Sequence, residues 1–226
     1  MKHLVVLTGA GVSAESGIPT FRDAGGLWEG HDVMDVATPE GWARNPILVL
    51  DFYNQRRKKA LEVQPNKGHQ IIAELENHFK VTVITQNVDN LHERAGSTHV
   101  VHLHGTLFES RSSVDETLVY PINGWEIKLG ERCALGSQLR PNIVWFGEPV
   151  YKMEEAIDYA SQADIFLVVG TSMQVYPAAS LIQYTQPTSR KIVVDPKRPE
   201  FLLSEVEFIE AGAGLGMEKV KALLLS

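Results

Sequence analysis

The stretch Leu4-Val5-Val6-Leu7-Thr8-Gly9-Ala10-Gly11-Val12-Ser13-Ala14 limits the fold more than any other part of the chain. Four consecutive apolar residues are the pattern of a short strand buried on both faces, as in a parallel sheet. The run passes straight into Gly9-x-Gly11-x-x-Ala14, which has the form of a dinucleotide-binding turn. Its small residues permit a tight turn and let backbone N–H groups approach a pyrophosphate. On these residues alone an ordinary strand-to-helix turn fits equally well. The usual dinucleotide pattern continues with a helix and a second strand ending in an acidic residue about 20 positions on. Here the chain reads Glu15-Ser16-Gly17-Ile18-Pro19-Thr20-Phe21-Arg22-Asp23-Ala24-Gly25-Gly26-Leu27-Trp28. Its glycines and proline predict a long ordered loop, which beside a phosphate-binding turn reads as a lid. Phe21, Arg22 and Trp28 are unusual choices for a solvated linker.

A chain of 226 residues accommodates one large α/β domain with a small insertion and a sizeable core. The net charge of −7 disfavours nucleic acid as a partner and suits basic peptides. A single cysteine excludes an internal disulfide and points to a reducing cytoplasm. The apolar run 4–7 is too short for a signal peptide, and no stretch reaches the roughly 20 apolar residues of a membrane span.

Further along, Thr38-Pro39 and Asn45-Pro46 each carry an N-cap followed by proline at the first helical position, predicting a short helix and then a longer one. The longer helix has an apolar side through Ile47, Leu48, Leu50, Phe52, Tyr53 and Leu61, and a basic end of Arg56, Arg57, Lys58 and Lys59. Pro65-Asn66 opens another helix, with Ile71, Ile72 and Leu75 at core spacing. Strands are expected at 80–85, 100–103, 165–169, 191–195 and 206–209, and regular alternation resumes at Ile143-Val144-Trp145. Helices are expected at 91–95, 153–160, 178–184 and from Met217 onward. Residues 106–140 show no clear period and read as a small inserted module. Strands alternating with helices imply an α/β, Rossmann-like, mostly parallel sheet covered on both faces. Ligands of such sheets bind beyond the carboxyl ends of the strands. Gly9 to Ser13, Gln86 to Asp89, His104-Gly105 and Gly170-Thr171-Ser172 all follow apolar strands directly, so they converge on one crevice.

Gly9-Ala10-Gly11-x-Ser13 with Gly17-Ile18-Pro19-x-Phe21-Arg22, and then Thr85-Gln86-Asn87-Val88-Asp89-Asn90-Leu91, resemble the signatures of the sirtuin family, the NAD-dependent protein-lysine deacylases. The likeness runs from Leu4 to the region of Gly212-Ala213. Residue by residue it implies NAD contacts at Gly9, Ala10, Gly11, Ser13, Ala14, Gly17, Ile18, Pro19, Thr20, Phe21, Arg22, Trp28, Gln86, Asn87, Val88, Asp89, Gly170, Thr171, Ser172, Asp195 and Ala213; Val193 stands near where the family usually has an Asn for the adenosine ribose, so that hydrogen bond is expected to be missing. Gln86 and Asn87 would contact the nicotinamide ribose, and Asp89 the nicotinamide amide; by local logic alone, Asn87 and Asp89 could equally cap the next helix. Periodicity does not choose between His102 and His104; the family's His-Gly dipeptide selects His104. The implied catalytic pair is His104 and Asn87. NAD is consumed as co-substrate: the acyl oxygen attacks ribose C1′, nicotinamide leaves, and the 2′-hydroxyl activated by His104 attacks in turn. Water then gives free lysine and 2′-O-acyl-ADP-ribose. Other chemistries on the same scaffold are mono-ADP-ribosyl transfer, NAD hydrolysis or plain NAD binding.

The resemblance also assigns the walls of an acyl-lysine tunnel to Val144, Trp145, Phe146 and Gly147 on one side and Val175 and Tyr176 on the other, with the acylated lysines of proteins as partners. The family branch that accepts acidic acyl groups carries Tyr-x-x-Arg, matched by Tyr53 and Arg56 with the small Ala24 nearby. At i and i+3 the two can face one pocket, and the Arg fork suits a carboxylate. A solvated basic helix end is the alternative on helix logic alone. Arg57, about 100° away around the helix, would then be a neutral control. Sirtuins commonly hold a structural zinc on four cysteines in the inserted module. Here that module has only Cys133 and no histidine, with Ser112 and Ser113 where the first pair would begin, so no zinc is expected. Packing of Leu118, Tyr120, Trp125, Ile127 and Leu135 is expected to hold it instead. The implied division is one catalytic domain over 1–226. Its large part is 1–30, 80–105 and 141–226; its small part is the helices in 31–79 and the insertion 106–140.

Overall fold

The computed structural model describes residues 1–20, 27, 28, 30–199 and 205–226. In chain order the strands are β1 (His3–Thr8), β2 (Leu27–Trp28), β3 (His31–Asp32), β4 (Lys80–Thr85), β5 (Val100–His102), β6 (Gly105–Ser112), β7 (Val119–Pro121), β8 (Leu139–Ile143), β9 (Ile165–Val169), β10 (Arg190–Asp195) and β11 (Glu207–Glu210). The helices are α1 (Ala10–Ala14), α2 (Val33–Val36), α3 (Pro39–Arg44), α4 (Pro46–Glu62), α5 (Lys67–Glu74), α6 (Leu91–Ala95), α7 (Met153–Ser161) and α8 (Ala213–Leu225), with 3₁₀ turns at Leu75–Asn77 and Ala178–Tyr184.

Six strands form a parallel sheet in the spatial order β11-β10-β9-β1-β4-β5. Numbered within the sheet and read from the β5 edge, that is 3-2-1-4-5-6, the doubly wound order whose direction reverses between β1 and β9. The apolar runs belong there because both faces are covered. Leu4, Val6, Val83, Leu167 and Val194 face Ile71, Ile72, Leu75, Met217 and Val220 of α5, its 3₁₀ extension and α8. Their neighbours Val5, Leu7, Ile84, Phe166 and Val168 face Ala156 and Ala160 of α7 and the 3₁₀ residues Leu181 and Ile182. α8 begins at Ala213, four positions ahead of the expected start at Met217.

The helix starts follow their caps. The Thr38 side chain accepts from the Gly41 N–H at 2.9 Å, and Asn45 accepts from Leu48 at 3.1 Å. Asn66 accepts from Gly68 at 2.9 Å, while His69 Nδ1 accepts from the Asn66 N–H at 3.3 Å. These bonds satisfy amides that have no partner inside the helix.

The inserted module is a three-stranded antiparallel sheet, β7-β6-β8. This corrects two expectations. Residues 139–143 pair with β6 and belong to the module rather than to the main sheet. Leu135 is exposed; of the five residues expected to pack the module, Ile127 alone is buried. The module is held instead by polar pins from α4. Asn54 donates to the Ile127 carbonyl at 3.0 Å and accepts from its N–H at 2.9 Å. Arg57 is fully buried and donates to the carbonyls of Leu107 and of Trp125, the latter at 2.7 Å, and to Asn54 Oδ1 at 2.8 Å. It is neither solvated nor a neutral control.

Candidate active site

The turn after β1 and the turn after β9 meet at the reversal of strand order. The Gly11 N–H donates to the Gly170 carbonyl at 2.8 Å, and the Gly9 N–H to the Val169 carbonyl at 3.2 Å. A Cβ on Gly11 would stand 2.8 Å from the Gly170 Cα and carbonyl oxygen, so the close approach requires glycine. These amides are therefore spent inside the protein. Ala10, the first residue of α1, has an N–H that no described residue accepts. The Cβ directions of Gly9 and Gly11 are filled by the Gly170-Thr171 turn, so the bare glycines serve the meeting of the two turns.

Beyond β4, Asn87 is fixed at every polar atom but one. Its N–H donates to Thr85 Oγ1 at 3.0 Å, and its Nδ2 donates to the Gly9 carbonyl and to Ser13 Oγ, each at 3.1 Å. Its carbonyl meets His102 Nδ1 at 2.9 Å. Oδ1 remains to accept from a ligand. Ser13 donates to Asp89 Oδ2 at 3.0 Å, and Leu91 N–H donates to Oδ1 at 3.0 Å. Burial pushes the Asp89 carboxyl up, against these two donors. Val88 packs its side chain into the cluster formed by α2, α4 and the module.

The two histidines that periodicity left unresolved differ in their partners. His102 places Nδ1 on a carbonyl and Nε2 2.7 Å from a Glu93 carboxylate oxygen. Both partners only accept, so the ring satisfies both only when each nitrogen carries hydrogen, and in that form neither can act as a base. His104 places Nδ1 3.1 Å from the Gln86 carbonyl, which fixes Nδ1 as the N–H and leaves Nε2 with its lone pair. Burial holds its pKa below the ordinary histidine value, opposed by the bond to Gln86. Gly105 follows with φ +79°, a conformation side chains resist, and the Asn142 carbonyl fills its Cβ direction.

Two buried imidazoles that the sequence reading passed over lie behind this loop. His69 Nε2 is 3.4 Å from Ser13 Oγ, and burial lowers its pKa to about 4. His92 Nε2 is 3.0 Å from Thr8 Oγ1, itself bonded to Thr85 Oγ1 at 2.8 Å. His69 had a local signal, since it stands three residues after the cap Asn66. Gln86 Nε2 donates to Thr171 Oγ1 at 3.1 Å, tying the β4 and β9 turns together.

On the α4 side the Trp145 indole N–H donates to the Tyr53 hydroxyl at 3.0 Å. Tyr53 is fully buried, and burial pushes its phenol far above the ordinary tyrosine range, with Arg56 opposing. The Arg56 guanidinium lies 4.2 Å over the Trp28 ring and 5.5 Å over that of Phe52. It is 8% exposed, so it is not a solvated helix end.

Three residues assigned to ligands have the following surroundings. Trp28 packs on Arg56 and Phe52. Trp145 is 2% exposed, with its ring against that of Tyr53. Val193 is fully buried between β9 and β11; Asp195, at the end of the same strand, caps the Lys197 N–H at 2.9 Å. Phe146, Val175 and Tyr176 are exposed at 50%, 40% and 68%. Phe21, Arg22 and Ala24 lie outside the described residues.

The Sir2 family model matches residues 9–177. Along its whole length the chain is 54% identical to the NAD-dependent protein deacylase of Bacteroides thetaiotaomicron and covers 99% of it. A solved Sir2 homolog–NAD complex superposes with TM-score 0.89 at 40% identity, over 99% of this chain and 90% of that one. A Sir2–p53 peptide–NAD⁺ complex superposes with TM-score 0.78 at 29% identity, over 99% and 94%. The glycine-rich turn, the Gln-Asn-Val-Asp loop and the His-Gly pair thus sit on a matching scaffold, and the chain belongs to the Sir2 family.

Proposed function

We propose that the crevice binds NAD as a co-substrate and removes acyl groups from protein lysines. The observation that carries this reading is the placement of His104: Nδ1 stands 3.1 Å from the Gln86 carbonyl, just past the end of β5, which assigns the ring hydrogen to Nδ1 and leaves Nε2 as the basic nitrogen. When bound, NAD supplies an electrophilic ribose carbon once nicotinamide departs. His104 Nε2 takes the proton of a ribose hydroxyl. Asn87 Oδ1 and Gln86 orient the ribose, Asp89 holds the carboxamide, and the Ala10 amide with Gly170-Thr171-Ser172 holds the phosphates and adenosine side. Phe146 and Val175-Tyr176 flank the peptide, which would add as a strand.

The acyl pocket accepts succinyl-lysine as well as acetyl-lysine in this reading. The Tyr53 oxygen accepts from Trp145, and in this reading its own hydrogen turns to the acyl group, next to a guanidinium held in an aromatic stack. The single cysteine suits work in a reducing cytoplasm, and the net charge of −7 favours basic peptides over nucleic acid. The test is mass spectrometry of acetyl- and succinyl-lysine peptides incubated with the protein and NAD. Loss of the acyl group with equimolar nicotinamide release is expected. Nicotinamide release in the absence of acyl-peptide would make the protein a glycohydrolase, and ADP-ribose left on the peptide would make it a transferase.

A further inference from the structure

After Thr85 the backbones of β4 and β5 part, and two side chains carry the pairing on. His104 donates from Nδ1 to the Gln86 carbonyl at 3.1 Å, and His102 donates from Nδ1 to the next carbonyl, that of Asn87, at 2.9 Å. The second ring nitrogens then diverge in role. That of His104 is left as a base, whereas that of His102 is held 2.7 Å from Glu93 Oε1 on α6. We propose that His102 is a positioning residue for the cofactor loop, acting as an imidazolium that bridges the Asn87 carbonyl to the Glu93 carboxylate and thereby fixes the backbone that aims Asn87 and Asp89. This rests on the NAD reading above and adds to it a protonation state on which NAD binding depends.

The argument is one of hydrogen count. A neutral imidazole has one N–H and the site presents two acceptors, so neutralising the ring forfeits one bond. The groups that face it agree. Glu93 on α6 and Asp89 in the loop both favour the cation. His92 on α6 and His69 on α5 are buried and held neutral, His92 in part by the charge of His102. Burial opposes the His102 charge, but Glu93, the Asn87 carbonyl and Asp89 outweigh it and raise the pKa. The raised value sets the sign: the clamp is complete below the ordinary histidine pKa and is lost as pH rises through the folded one. His104 has the opposite dependence, because protonation disables it on the acid side. The two therefore separate, His104 into an acid limb of kcat and His102 into an alkaline rise of KM for NAD.

The experiment is the pH profile of KM for NAD in the wild type and three variants, with the protonation of the His102 ring followed by ¹⁵N NMR. The wild type should show both ring nitrogens protonated near neutral pH, and its KM should rise about 3- to 10-fold at alkaline pH, as one neutral hydrogen bond is lost. His102→Asn places an amide nitrogen where Nδ1 stood, so it should keep a low KM with no alkaline rise. His102→Gln reaches toward Glu93 instead and should show the raised KM at every pH. Glu93→Gln should move the rise to lower pH. A neutral His102 ring near pH 7, or His102→Gln with the wild-type profile, overturns the inference. Equal impairment of the Asn and Gln variants also overturns it, because packing alone would then explain both. A wild type that binds no NAD at any pH overturns the functional reading and this inference with it.

Discussion

At single residues, chemistry is decided by what each polar atom already touches. His104→Ala should leave NAD binding largely intact and lower deacylation by roughly 10²–10⁴, the span of a lost general base. In the wild type, kcat should fall as pH drops through a value below the ordinary histidine pKa, because burial depresses it and the neutral form is the active one. Steady-state rates across pH check both points; full turnover in His104→Ala would require another base. For acyl choice, Arg56→Met should lower desuccinylation relative to deacetylation by roughly ten- to a hundred-fold, the equivalent of a charge-assisted bond of about 1.5–3 kcal/mol. The control is Lys59→Met, since Lys59 is exposed on the same helix. Arg57 fails as a control because three acceptors depend on it. An unchanged ratio in Arg56→Met rejects the acidic-acyl reading. Hydropathy reads Arg56-Arg57-Lys58-Lys59 as a solvated helix end. It cannot register that the carbonyls of Leu107 and Trp125, 50 and 68 positions away, wait for one of these cations.

Among elements, the module shows how polar side chains close its loops. Among the described residues, no group of three or more His, Cys, Asp or Glu is placed to hold an ion. Two turns are instead joined by hydroxyls and a thiol. Ser112 Oγ lies 2.9 Å from Ser137 Oγ and accepts from the Val114 and Asp115 amides at 3.2 Å, while Cys133 Sγ lies 3.0 Å from Ser137 Oγ. Around Glu148, Arg140 donates at 2.7 Å, Arg111 at 3.0 Å and the Trp145 N–H at 2.8 Å, so the module's charges also shape the segment before Phe146. Elemental analysis should find no stoichiometric zinc, and a chelator should leave the melting curve unmoved. Arg57→Met should destabilise the protein by about 3 kcal/mol through the orphaned acceptors, read by denaturant titration. One zinc per chain would require ligands other than Cys133. The helices were legible because Thr38-Pro39, Asn45-Pro46 and Pro65-Asn66 state their own starts. The module was not, because β6 and β8 alternate irregularly across a register shift and its anchors lie on α4.

For the molecule as a whole, the doubly wound sheet was legible because strands buried on both faces must be continuously apolar. The polar residues after β1, β4, β5 and β9 then fall in adjacent places by topology. What pattern could not supply was the wiring between them, such as the Gln86–Thr171 bond or the imidazoles of His69 and His92, since these contacts join residues far apart in sequence. α4 carries two further sets of such contacts. Tyr53 and Arg56 are the residues proposed for the acyl side, while Asn54 and Arg57, interleaved with them, hold the backbone of Ile127, Trp125 and Leu107. Thermodynamic linkage makes such sharing reciprocal: whatever ligand binding gains from an ordered α4, opening of the module must lose. The Ile127 amide, bonded to Asn54, is the place to read this. Its hydrogen exchange should slow when a succinyl-lysine peptide is added, and slow less with an acetyl-lysine peptide. Equal exchange with and without peptide would mean that α4 carries its two sets of contacts independently. If the rates differ, the inserted module is a stability reserve on which the choice of acyl group draws.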